Sequence, residues 1–140
     1  MSIWLGGFGG TLQIGLQGVS SPPWRLYLKT MDMVAQGASH TLLLWDERED
    51  AMNWGNFFID MTGYPNQPAM TEFAEDYPGS YHNGAGGLSF ADGHAEIKKW
   101  RDPRTTPPLQ TGSGMIQAGT TPSPINPDIA WLQDRATRLK

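Results

Sequence analysis

The sequence predicts a small α+β domain: an antiparallel sheet, long irregular connections and one terminal helix. Three observations carry that expectation. Asp92-Gly93 stands between the alternating runs GGLSFA and HAEIKKW, the pattern of a tight β-hairpin. HTLLLWDE, residues 40–47, is a short apolar run with an acidic stop, the length of a strand rather than a helix. Asn126-Pro127-Asp128 then opens the last periodic stretch with a cap, a first-position proline and a first-turn acid, as helix N-termini prefer. Seventeen Gly and eleven Pro in 140 residues fit strands and turns better than a helical bundle, and the length is that of one domain.

Residues 1–29 are rich in Gly and aromatics. IWLGGF and TLQIGLQ read as short strands, and SSPPW as a turn into RLYLK. The rings of Trp4, Phe8, Trp24 and Tyr27 fit core packing, and a Gly-aromatic surface for sugar or a neighbouring subunit is the sharper alternative. GGFGG lacks the Lys-Ser/Thr and the strand-to-helix setting of a phosphate loop.

The apolar run predicts a strand at 41–46, with His40 at its edge. DERED, residues 46–50, reads as a solvated turn or as a hard-cation site, because Ca²⁺ takes several carboxylate and carbonyl oxygens. Asp46, Glu49, Asp50 and Asn53 are the candidate calcium ligands, although EF-hand spacing is absent. GNFFID predicts a strand over 55–61 paired with the first through a DAMNW turn. Residues 61–79 read as a long polar loop, a common place for binding surfaces.

A two-residue type I′ turn at Asp92-Gly93 pairs Ala91 with His94, Phe90 with Ala95, Ser89 with Glu96 and Leu88 with Ile97, over strands at 86–91 and 94–100. That register gathers Leu88, Phe90, Ala95 and Ile97 on one apolar face and Ser89, Ala91, His94, Glu96 and Lys98 on a polar one. Asp92 has a structural reason in the turn itself, and His82 in the loop that enters the strand. Zinc through His82 and His94 lacks further ligands.

Residues 103–125 are rich in Pro, Thr, Gly and Ser and read as an extended arm after a globular part at 1–102. Thr105, Thr106, Thr120, Thr121 and Ser123 suit O-linked sugars. Over 126–140, Ile129, Leu132, Ala136 and Leu139 form an apolar stripe beside Trp131, and Arg135, Arg138 and Lys140 complement the helix dipole. Such a stripe needs a surface, on its own domain or on a neighbour.

Several classes drop out. A net charge of −4 gives no footprint for nucleic acid. Zero Cys removes disulfides, thiolate metal sites and Cys nucleophiles. No nucleophile elbow or HExxH occurs. No run reaches a membrane span and no signal peptide opens the chain. The expectation is a soluble remainder of a longer precursor, or a chain anchored by partners.

His82, nine residues, then Asp92-Gly93 resembles the C-terminal signature of bacterial type IV pilin-like and pseudopilin-like proteins, the prepilin-type processing-associated family. DYPGSYHNGAGGLSFADGHAEIKKWRDPRT, LLLWDEREDAMNWGNFFID and NPDIAWLQDRATR extend the resemblance over about residues 40–140. It marks His82, Asp92, Gly93 and His94 as motif residues. The family's basic leader and long apolar helix have no counterpart in Met1–Gly10. The resemblance implies a non-enzymatic, exported structural or assembly protein at the cell surface or outside the cell. It implies self-association into a homo-oligomer or filament, possible pilin-like partner subunits and possible glycans. The terminal stripe supplies the assembly contacts. The alternative is a metal-dependent carbohydrate-binding module with Trp/Tyr platforms beside DERED, and a hydrolase using His82 and Asp92 is a distant third.

Overall fold

The hairpin forms where Asp92-Gly93 places it, with a register one residue from the expected one. In the computed structural model, which describes residues 1–2, 4–5, 24–52, 55–74, 76–111 and 119–140, its strands are β3 (Ala85–Phe90) and β4 (Ala95–Lys99). The pairs are Ser89 with Ala95, Leu88 with Glu96 and Gly87 with Ile97. Phe90 N–H donates to the His94 carbonyl, and Gly93 N–H to the Phe90 carbonyl, each at 2.9 Å. The loop is therefore three residues, Ala91 to Gly93, closed by a glycine at φ +95°. A type I′ turn would force Asp92 to positive φ as well, whereas this loop confines that conformation to Gly93. Asp92 Oδ1 instead accepts the His94 N–H at 3.1 Å.

One residue of slip exchanges the faces of β4. Leu88 and Phe90 remain buried, but Ala95 and Ile97 face solvent, Ile97 with 70% of its surface exposed. The expected apolar face of four residues is corrected to a face of two, extended by Leu42.

Strand β1 (Leu42–Trp45) pairs antiparallel with β3 across a bulge, giving the order β1-β3-β4. The expected strand at 55–61 is not its neighbour. Ser2 takes that place, its N–H donating to the Leu43 carbonyl at 2.8 Å, while Phe57 N–H reaches the Met1 carbonyl at 3.0 Å. Residues 57–61 are nonetheless buried, so their polar backbone needs other partners. Side chains supply them. Asp76 Oδ2 accepts Phe58 N–H at 2.6 Å, and Trp4 Nε1–H donates to the Ile59 carbonyl at 3.0 Å. Gln133 Nε2–H donates to the carbonyls of Asp60 and Thr62 at 2.8 and 2.9 Å.

A second sheet arises inside segments read as loop and arm. Strand β2 (Glu72–Ala74) pairs antiparallel with β5 (Thr120–Pro122). Of the N-terminal readings, Trp4 and Tyr27 are core residues and Trp24 packs against the core. Residues 25–29 form no strand, and Phe8 and TLQIGLQ lie outside the described residues.

Helix α1 (Pro127–Ala136) begins at Asn126, whose side chain accepts the N–H groups of Asp128 and Ile129 at 2.8 and 3.3 Å. It ends three residues earlier than the stripe suggests. Thr137 turns extended, at φ −156°. Its hydroxyl donates to the Arg25 carbonyl at 2.6 Å, and Arg25 N–H donates to the Arg138 carbonyl at 2.9 Å. Leu139 thus belongs to a bridge with Trp24 rather than to the helix. Ile129, Leu132 and Ala136 join Trp4, Leu42, Phe57, Leu88 and Phe90 in one buried cluster. The surface that covers the stripe lies on the chain's own domain. No helix among the described residues is long and apolar enough to cross a membrane.

Candidate functional site

The motif residues lie at opposite ends of the hairpin. His82 precedes β3 and Asp92-Gly93 follows it, so a six-residue strand separates them by about 20 Å. His94 Nδ1 lies 2.6 Å from Asp92 Oδ1 and its Nε2 3.4 Å from Glu96, and the His94 ring stacks on Phe90 with centroids 4.3 Å apart. The Asp92 hydrogen bond raises the His94 pKa above the usual imidazole value. His82 Nε2 sits 3.6 Å from Asp46 Oδ2 instead. His82 and Asp92 therefore form no acid–base pair, and His82 and His94 share no zinc.

The acidic turn also disperses. Asp46 Oδ2 accepts Gly87 N–H at 2.9 Å, and a Cβ on Gly87 would stand 2.7 Å from that oxygen. Only glycine lets the carboxylate lie across the strand. Glu49 is exposed and accepts the Tyr81 hydroxyl. Asp50 is buried and forked by Arg48, Nε to Oδ1 at 2.9 Å and Nη2 to Oδ2 at 2.5 Å. Burial pushes the Asp50 carboxyl up, but the Arg48 hydrogen bonds, the Gln110 N–H and the Arg48 charge together hold the pKa below the ordinary carboxylate value. Asp46 directly follows β1, whereas Glu49 and Asp50 stand in a turn closed by Ala51 N–H on the Arg48 carbonyl at 3.0 Å, and each carboxylate meets a different partner. The expected calcium set is corrected accordingly: Asp46, Glu49 and Asp50 do not converge, and Asn53 lies outside the described residues. Among the described residues, no three His, Asp or Glu side chains form a cation cluster.

Arg48 has a further use. Its Nη1 donates to the Pro107 carbonyl at 2.5 Å and its Nη2 to that of Pro108 at 3.3 Å, while Gln110 N–H donates to Asp50 at 2.9 Å. The proline-rich segment is thus strapped to the domain over residues 107–110. Thr105 and Ser123 are buried, with Asn126 Nδ2 donating to both hydroxyls at 3.2 and 3.0 Å. They are withdrawn as sugar acceptors, whereas Thr120 and Thr121 remain exposed.

Two clusters escaped the sequence reading. Asp128 is fully buried: its Oδ1 accepts Lys98 Nζ at 3.0 Å. Its Oδ2 accepts Arg101 N–H and Asp102 N–H at 2.8 Å and the Thr105 hydroxyl at 3.0 Å. Asp134 collects His40 Nε2 at 2.8 Å, the Tyr64 hydroxyl at 3.2 Å and Arg138 Nη2 at 3.1 Å. Burial raises the Asp134 pKa, but the His40 hydrogen bond, the Arg138 and His40 charges and the Tyr64 hydroxyl together bring it below the ordinary value. The only sequence signal for either was an acid on a helix, which solvent explains equally well. Trp131 is covered by the Arg135 guanidinium, 3.9 Å from its ring centroid.

Among the described residues, the outer face of the three-stranded sheet is open to a ligand or partner. Leu44, opposite Ser89, and Ile97, opposite Gly87, lie on it with 47% and 70% exposure. Ala95 is exposed beside them and Ser89 and Gly87 are half-buried. Two exposed aliphatics among small residues, with the Asp46 carboxylate lying over Gly87, make a shallow mixed surface, suited to a flat contact rather than to enclosing a small molecule. No family model matches the chain, and neither a curated protein nor a solved structure matches it.

Proposed function

We propose that this chain is a non-enzymatic structural protein of pilin-like or pseudopilin-like type, exported to the cell surface or beyond, that works by self-association. The family part of this reading rests on the sequence resemblance over about residues 40–140. The observation that carries the mode of action is the outer sheet face, where Leu44 and Ile97 stand exposed around Ser89, Ala95 and a Gly87 crossed by the Asp46 carboxylate. Exposed aliphatic groups on a sheet face gain by being covered. Partners of the reading are further copies or other pilin-like subunits, with glycans, where present, at Thr120 and Thr121. The stripe of Ile129, Leu132 and Ala136 is used within the chain, so assembly falls to the sheet rather than to the terminal helix.

Surface labelling tests the export half. A membrane-impermeant amine reagent applied to intact source cells is expected to modify Lys99, whose side chain is exposed. Labelling only after lysis would refute it.

A further inference from the structure

We infer that β4 pairs antiparallel with β4 of a second copy of this chain, about a two-fold axis through Ile97. This deepens the self-association reading and rests on it.

Phe90 N–H bonds the His94 carbonyl and Trp100 N–H bonds the Gly84 carbonyl. In an antiparallel ladder this phase turns the polar groups of 94, 96, 98 and 100 toward β3, and those of 95, 97 and 99 outward. Among the described residues, strand β4 is the edge of its sheet, paired with β3 alone. Among the described residues, the N–H groups of Ala95, Ile97 and Lys99 have no partner. An edge of this kind is a template for a further strand.

The sequence AEIKK then selects both the strand and its register. Outward groups at odd positions must meet odd positions of the added strand. Setting Ile97 opposite Ile97 places Ala95 opposite Lys99 twice, which uses all three outward positions on each chain. On the adjacent positions Glu96 falls opposite Lys98, again twice. The neighbouring permitted registers are worse. One sets Glu96 against Glu96, another Lys98 against Lys98, and a third Lys99 against Lys99, and like charges directly opposite destabilise a strand pair. Centring on Ala95 leaves Lys99 unpaired. Lys98 retains capacity for the contact. An ammonium has three donors, of which two go to the Lys99 carbonyl at 2.9 Å and to Asp128 at 3.0 Å. The third is left for Glu96 of the second copy, on an ammonium that also sits 5.1 and 5.2 Å from the Trp100 and Trp131 ring centroids, with 12% of the side chain exposed. On the outer face the two Ile97 side chains meet, covering the most exposed aliphatic group of the sheet. Such a contact is isologous and closes as a dimer. A filament would need a second surface, for which the outer face around Leu44 is the candidate.

The test uses the full chain, which has no Cys, carrying Ile97→Cys. A thiol-specific cross-linker of short reach should join two chains, because hydrogen-bonded partners lie with Cα atoms about 5.5 Å apart. Ala95→Cys on the same strand should not cross-link, since two Ala95 positions would be about 14 Å apart. Ile97→Pro, which removes one outward N–H and is tolerated on an edge strand, should lower the dimer fraction in sedimentation at least fivefold. Glu96→Lys should do the same, each with the circular dichroism of the parent. Association that persists in both variants, with equal cross-linking at positions 95 and 97, overturns the β4 pairing while leaving self-association standing. A parent chain that stays monomeric up to roughly 1 mM, a weak-binding limit, overturns both.

Discussion

The Lys98 ammonium lies 3.0 Å from Oδ1 of Asp128, a carboxylate with no exposed surface. This pair ties the end of β4 to the first turn of α1, and the other carboxylate oxygen fixes the chain at Arg101, Asp102 and Thr105. Removing one member of a buried, hydrogen-bonded ion pair typically costs about 3–5 kcal/mol. Asp128→Ala should lose stability in that range by urea denaturation. A loss below about 1 kcal/mol would mean the carboxylate is solvated, because surface pairs contribute about that or less.

Ile125 adopts φ +58° with 69% of its surface exposed. A β-branched residue in the left-handed region is strained by about 1–2 kcal/mol, and here little burial offsets the strain. Ile125→Asn should raise stability by about 1 kcal/mol, read as a higher melting temperature. A fall would show that the Ile125 side chain contributes packing that outweighs the strain.

Burial, and after it the neighbouring Asp76 carboxylate, push the Glu47 pKa from 4.5 to about 7. Its Oε1 is buried without a hydrogen-bond partner. The folded protein then binds this proton more tightly than the unfolded chain, so Glu47 lowers stability as pH rises from about 4.5 to about 7, and no further above. Glu47→Gln should therefore stabilise the protein more at about pH 8 than at about pH 5. An equal effect at both pH values would remove Glu47 as the titrating group.

Truncation after Arg104 should unfold the domain. It deletes Ile129, Leu132 and Ala136 from the core cluster, and with Gln133 the donors to the Asp60 and Thr62 carbonyls. Large-to-small losses at single core positions already cost about 2–5 kcal/mol each. A truncated chain that still melts cooperatively would mean that the helix is an appendage.

The parts of this fold legible in the sequence were those with local causes. Asp92-Gly93 announced a turn, and Asn126-Pro127 a helix start, because each acts on its own backbone. The register at Gly93 was less visible, since a two- and a three-residue loop use the same dipeptide and differ only in where positive φ falls. The segment at 57–61 looks like a strand because it is apolar, yet its hydrogen bonds come from Trp4, Asp76 and Gln133, distant in sequence. The acidic turn shows the same limit at the site level. Composition put four acids within five residues, but Arg48 between them, and the turn at Glu49-Asp50, sent them apart. Lys98 and Asp128 looked like two ordinary surface charges until β4 and α1 were brought together.

The measurement that bears most directly on the central claim is sedimentation velocity of the intact chain over a wide concentration range. The account predicts a reversible shift from one chain toward two as concentration rises, with added salt weakening it through the paired Glu96 and Lys98. A single species of one-chain mass, unchanged at the highest concentration reached, would contradict it.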